Sequence, residues 1–280
     1  MPSIRFIASV ATISAAALFG LSGCIIGECE DGQANCISLE PGTTYTDTDE
    51  LTATYVAGND LLVSGFNGQI EIRSGSASGQ VAIETVRKTL EEGSAEGEER
   101  AERQLEEELR VTVSDDGDVV VQTERLSNDG NLAVDLTILL PSDFDGRIQV
   151  VQNNGSVDLD LAGVSPAGVS VLNDGAGGVA VAGARGVVDI QGGFDVEVGL
   201  ASWPEAASRV VSTGGLGDVT VQIPADANGT LQATVDDAAS LTVPEPLPAG
   251  WVDNGGGAFT LGDGTGAALT VTARRSITLL

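Results

Sequence analysis

Hydrophobic and polar residues alternate along most of this chain, beginning at Leu51. In LTATYVAGNDLLVSGFNGQIEIRSGSASGQVAIETVRK, short alternating runs are cut by N-D, N-G and S-G turns. Ile70 and Ile72 share one face of QIEIR and leave Gln69, Glu71 and Arg73 on the other. Val81 and Ile83 do the same in QVAIET. Period-two alternation with one apolar face predicts strands. LRVTVSDDGDVVVQTE predicts a hairpin turning at Asp115 to Asp118, and NLAVDLTILLP a strand ending at Pro141.

The pattern then repeats. GRIQVVQNNGSVDLDLAG, AGVSVLNDGAGGVAVAG, GVVDIQGGFDVEVG and SRVVSTGGLGDVTVQIP each carry a strand, a Gly-rich turn and a second strand. Their turn glycines Gly155, Gly175, Gly193 and Gly215 lie 20, 18 and 22 residues apart. That period falls in the range of solenoids, in which one repeat buries its apolar face only by stacking on its neighbours. Glycine lets each coil turn sharply and lets adjacent coils approach. The expected fold is all-β, a single-stranded, right-handed parallel β-helix or β-roll-like solenoid. An antiparallel β-sandwich is the alternative, because short strands with Gly-rich turns are its signature too. The stretch from Leu231 onward reads as two further coils with a Pro-rich loop, and LTVTARRSITLL as a strand-like end that caps the stack and masks an open edge.

Two segments break the alternation. Residues 24–50 are polar, with Gly, Thr, Asp and Pro41, and read as a tether. Residues 89–110 are dense in Glu and Arg. Leu105 and Leu109 stand four apart, which predicts a short helix from about Glu98 to Arg110 with a thin apolar face. This insert reads as a solvated excursion within a domain spanning 51–280.

The first residues follow another pattern. Arg5 is the only charged side chain before Cys24, and residues 6–21 are apolar or small. The run is shorter than the ~18 residues that suggest a membrane-crossing helix. Its layout is that of a secretory signal peptide. Leu21, Ser22, Gly23 and Cys24 resemble the end of a bacterial lipoprotein signal. The resemblance implies cleavage after residue 23 and acylation of Cys24 on its thiol and new amino terminus. Each buried acyl CH₂ adds about 0.8 kcal/mol of membrane affinity. A plain signal peptide with an incidental cysteine, or an uncleaved anchor, remains the alternative. Ile25 and Ile26 follow, without the Asp that retains Gram-negative lipoproteins at the inner membrane, so the resemblance leans toward the outer membrane.

Composition narrows the function. The chain has 41 acidic against 13 basic residues, a formal charge of -28, and no His. Such acidity repels phosphate backbones, so nucleic acid is excluded as an expected partner. Lacking His, it has no His-ligated zinc site and no His-based triad. With Lys88 as the single lysine, lysine chemistry has little room. Nothing resembles a phosphate loop, and no cofactor is expected. Cys29 and Cys36, in an exported and oxidising compartment, suggest a small disulfide loop; two free thiols or an intermolecular bridge remain open.

Candidate chemistry is sparse. Asp158 and Asp160 point outward from one strand, and Asp195 and Glu197 from the coil two later. Stacked carboxylates of this kind suit Ca²⁺ or an acid and base pair across a glycosidic bond. Alternating outward positions in an acidic chain produce the same pattern without a site. A lyase also needs a basic residue, and Arg147, Arg185 and Arg209 share no clear row. GGLGDVTVQ misses the register of a calcium-binding nonapeptide. Trp203 in GLASWPEAAS and Trp251 in PAGWVDNGGG are candidate ligand contacts, or loop anchors packed back on the sheets.

Four pieces carry a family resemblance: Gly68-Gln69-Ile70-Glu71-Ile72, Gly155-Ser156-Val157-Asp158-Leu159, Gly217-Asp218-Val219-Thr220-Val221 and Ser276-Ile277-Thr278-Leu279. The chain resembles, over roughly residues 51–280, the bacterial putative-adhesin family of exported and lipoprotein β-solenoid domains. The resemblance implies a non-catalytic structural or adhesion-like module, anchored to the lipid bilayer through Cys24, with an envelope protein or glycan as partner. It carries over no catalytic residues. A β-helix polysaccharide lyase or hydrolase is the alternative.

Overall fold

The computed structural model describes residues 42–127, 131–214, 217–236 and 240–280. Cys24, Cys29 and Cys36, and with them the signal, lipid and disulfide expectations, lie outside the described residues.

The chain opens with β1 (Thr43–Thr54), β2 (Leu61–Gly65), β3 (Ile70–Ser76) and β4 (Gln80–Glu91). Helix α1 (Ala95–Arg103) and a π-helical turn, Gln104–Glu108, lead to β5 (Leu109–Ser114), β6 (Val119–Arg125) and β7 (Ala133–Pro141). Four two-strand coils follow: β8 (Arg147–Gln152) with β9 (Val157–Asp160), β10 (Gly168–Asn173) with β11 (Val179–Ala184), β12 (Val187–Gly192) with β13 (Val196–Leu200), and β14 (Ser208–Ser212) with β15 (Asp218–Gln222). The last strands are β16 (Gly229–Val235), β17 (Ser240–Thr242), β18 (Trp251–Gly255), β19 (Ala258–Leu261), β20 (Ala268–Ala273) and β21 (Ser276–Leu279).

These strands form two large mixed sheets. One has ten strands, in the order β1-β4-β7-β3-β9-β11-β13-β15-β21-β17. The other has eleven, in the order β18-β19-β16-β20-β14-β12-β10-β8-β2-β6-β5. Consecutive strands of each coil alternate between the sheets, and every strand in the middle of each sheet pairs in parallel. The inward Val, Ile and Leu of both sheets meet in one core. Alternation in the sequence becomes alternation in burial: Val157 and Leu159 are buried while Asp158 and Asp160 are exposed.

The all-β expectation holds, but the sheets are not parallel throughout. At one end β1 pairs antiparallel with β4, β4 with β7, and β5 with β6. At the other, β18 and β19 add an antiparallel hairpin beside β16. The two stacked, mixed sheets therefore also fit the sandwich alternative. The cause is local: the 20-residue repeat is regular only through the four central coils, and the flanking segments turn back on themselves as hairpins.

The stack is also out of chain order at both ends. The β6/β7 coil lies outside the earlier β2/β3 coil. The terminal β20/β21 coil sits between β14/β15 and β16/β17. LTVTARRSITLL is thus an interior rung, not the cap it was expected to be. Both of its strands alternate buried and outward positions and bond on both edges, which a capping strand need not do.

Two more expectations change. Strand β1 begins at Thr43, inside the stretch read as tether. The face that carries Leu51 and Ala53 also carries the half-buried Asp47 and the exposed Asp49, which bind Arg87 of β4 at 2.5 and 2.7 Å, so the strand lacks apolar alternation. The 89–110 insert is not a free excursion. Ser94 caps α1 by accepting from the Gly97 N–H, satisfying an otherwise unpaired donor. Gln104 bonds Thr89 and Glu91, and Ala101 and Leu105 are buried. The helix ends earlier than expected because Leu109 already belongs to β5.

Buried polar side chains line the turn from the eleven-stranded to the ten-stranded sheet. Gln152, Asn173 and Ser212 occupy one inward row, with Gly192 between the last two. Gln152 Nε2 donates to the Gly68 carbonyl at 2.7 Å, Asn173 Nδ2 to that of Gly155 at 2.8 Å, and Ser212 Oγ to that of Phe194 at 2.8 Å. Each ties a turn carbonyl of the neighbouring coil to the buried row. The turns also stack closely. Gly155 has a φ of 117°, and a methyl group there would lie 1.8 Å from the Gly68 carbonyl oxygen.

Candidate functional site

Equal strand register builds rows of side chains across the outer face of the ten-stranded sheet. One row runs through Glu71, Asp158, Ala180, Glu197, Thr220 and Thr278. The next holds Arg73, Asp160, Ala182, Gly199 and Gln222. Neighbouring strands stand about 4.8 Å apart, so each row is a ladder of that spacing.

Small residues interrupt both ladders at β11, and the second ladder at β13 as well. Ala180, Ala182 and Gly199 floor a shallow groove of about 220 Å³, lined also by Asp158, Glu197, Thr220, Gln222 and Leu280. An adjoining hollow of about 270 Å³ shares Asp158, Ala180 and Glu197 and adds Asp195 and Gln69. The walls are acidic and the floor apolar. Partial desolvation, with Glu71, Asp160 and Glu197 nearby, holds the Asp158 carboxyl above its ordinary pKa.

The structure thus brings Asp158, Asp195 and Glu197 to one groove. Asp160 lies in the second row, where its Oδ1 accepts from the Ala162 N–H. Asp195 Oδ1 accepts from the Asp218 N–H at 2.9 Å. No three carboxylates among the described residues converge as metal ligands. Arg147 and Arg209 project from the eleven-stranded sheet, on the far side of the core. Arg185 lies between β11 and β12, beside Asp145 and Glu205 in a separate hollow of about 400 Å³. Arg73 bonds Glu71 at 3.3 Å.

The tryptophans lie elsewhere. Trp203 is half-buried, and its Nε1 donates to the Ala267 carbonyl at 2.9 Å, tying the loop before β14 to the loop before β20. Trp251 packs on the core with its ring 6.0 Å from that of Phe259. Neither lines the groove on the ten-stranded sheet.

Sequence reading named the groove's acids but not its floor. The signal was present. Aligning VDLD, VAVA, VEVG and VTVQ on their inward residues puts Asp158, Ala180, Glu197 and Thr220 in one column. The same alignment puts Asp160, Ala182, Gly199 and Gln222 in the next.

No protein-family model matches this chain, and no curated protein does. Solved structures with similarity include a putative cell adhesion protein from Clostridium sporogenes, at 13% identity and a TM-score of 0.39, covering 83% of this chain and 98% of that one. A putative adhesin from Bacteroides fragilis is similar at 12% identity and a TM-score of 0.40, covering 84% and 97%. One from Parabacteroides distasonis matches at 10% identity and a TM-score of 0.34, covering 84% and 97%. At such identities no residue's role carries over.

Proposed function

We propose that this chain is an adhesion-like binding module of the bacterial envelope that works without catalysis. It is held in the outer membrane of a Gram-negative cell by acylated Cys24, with a Cys29–Cys36 disulfide stiffening the segment beside the lipid. Its repeating coils form a β-roll-type solenoid wound right-handed, the hand that about 98% of parallel crossovers take.

The observation that carries the reading is the open groove over Ala180, Ala182 and Gly199. It is shallow, runs across several strands and has carboxylate walls. That shape fits an extended chain bearing hydroxyls or amines, a glycan or a basic protein segment. No Arg or Lys lines it. A lyase needs a cation beside its acids, so this lining speaks against a lyase. Trp203 and Trp251 then serve as loop anchors, and Asp158, Asp195 and Glu197 as ligand acceptors rather than calcium ligands.

The test combines fractionation with protease shaving of intact cells, comparing wild type with Cys24→Ala. Outer-membrane protein that is cleaved in intact cells, and loses its membrane fraction in the variant, is the expected result. Unchanged processing and fractionation of Cys24→Ala would overturn the anchor. Protection until the outer membrane is opened would overturn adhesion between cells.

A further inference from the structure

The two outer faces differ sharply in charge. On the ten-stranded sheet, outward carboxylates outnumber cations. On the eleven-stranded sheet, outward strand positions carry Arg110, Arg147 and Arg209 against Glu124 and Asp189. Asp189 and Arg209 neutralise each other, with Nε and Oδ1 2.5 Å apart. In a chain of net charge -28, this broad face has no excess of acid.

It is also partly apolar. Val151 is 43% exposed and stands beside Leu172 in register, with Val211 in the same row two strands on. Leu62 and Val120 form a neighbouring pair in the next row. Between them lie Gln, Ser and Thr, which hydrate weakly compared with carboxylates.

We propose that the outer face of the eleven-stranded sheet docks on the same face of a second copy of this chain. Charge selects the occupant. Two such chains repel least when they meet through a face without net negative charge, and a face-to-face pair buries this one while both acidic faces stay in water. Area permits it. Eleven strands of four to seven residues make a plane about 50 Å by 17 Å, or ~800 Å². A stable interface buries about 800 Å² per partner. Such a pair displays two grooves on opposite sides, which raises avidity for a polymeric ligand.

The mass of detergent-solubilised full-length protein, measured by light scattering during gel filtration across a concentration series, tests this. Wild type is expected as a dimer. Val151→Glu and Leu172→Glu each weaken the dimer at least roughly tenfold while circular dichroism stays unchanged. Thr278→Glu, on the opposite sheet, leaves the dimer intact. A wild-type monomer at all concentrations, or a dimer that survives both Glu variants when folded, overturns the proposal.

Discussion

The Tyr55 hydroxyl lies 2.5 Å from Oδ1 of Asp145, joining residues 90 positions apart. The same hydroxyl accepts from the N–H groups of Asp145 and Gly146, at 3.0 and 3.3 Å, while the ring stacks on Phe144 at 4.9 Å. Asp145 also accepts from the Gly58 N–H. One buried phenol thus ties the end of the antiparallel β1 to the start of the central coils. Tyr55→Phe strands those N–H groups and is expected to cost about 1–3 kcal/mol in urea denaturation. The Tyr55 hydroxyl, then the Gly58 N–H, hold the Asp145 carboxyl below its ordinary value of 3.8. Its contribution is therefore present above that pH and lost as pH falls through the folded pKa. The difference between Tyr55→Phe and wild type should shrink in acid.

Asn173 is fully buried and donates to the carbonyls of Gly155 and Gly177. Asn173→Leu fills similar volume but leaves both carbonyls without that donor. We expect a loss of about 1–3 kcal/mol, read from equilibrium unfolding, with the all-β circular dichroism retained. An unchanged midpoint would contradict the stapling role.

Gly155 and Gly117 separate backbone strain from crowding. Both have positive φ, 117° and 105°. A Cβ at Gly155 collides with the Gly68 backbone, whereas one at Gly117 meets nothing within 4 Å. Gly117→Ala should cost the strain of about 1–3 kcal/mol alone. Gly155→Ala should cost distinctly more, measured as a larger fall in thermal midpoint.

Asp158 gives the opposite pH sign to Asp145. Its carboxyl is held above 3.8, so ionising it at neutral pH works against the fold. That cost disappears as pH falls through the folded pKa toward 3.8. Asp158→Asn should raise the melting temperature at neutral pH and change nothing well below 3.8.

Much of this was legible in the sequence because alternation and burial are the same fact seen twice. QIEIR, QVAIET and the four central repeats became strands with the expected residues inward. What was not legible is long-range. Nothing local in LTVTARRSITLL distinguishes an interior rung from a cap, since both alternate. Thr43 to Glu50 hid a strand because Asp47 and the exposed Asp49 stand where apolar residues would alternate and pair with Arg87, far along the chain. The groove needed the lateral register of four strands at once, and its floor consists of alanine and glycine, which carry no chemical signal singly.

The central claim is that the groove over Ala180 binds an extended ligand without cutting it. Its most direct test is titration of the full-length protein with a glucosamine hexamer, which carries both amines and hydroxyls. Ala180→Phe serves as comparison, because it blocks the groove and leaves every charge in place. Saturable binding by wild type, a roughly tenfold or greater loss in the folded variant and an intact hexamer at the end are the predicted result. No saturable binding, equal binding by Ala180→Phe, or release of shorter sugars would contradict it.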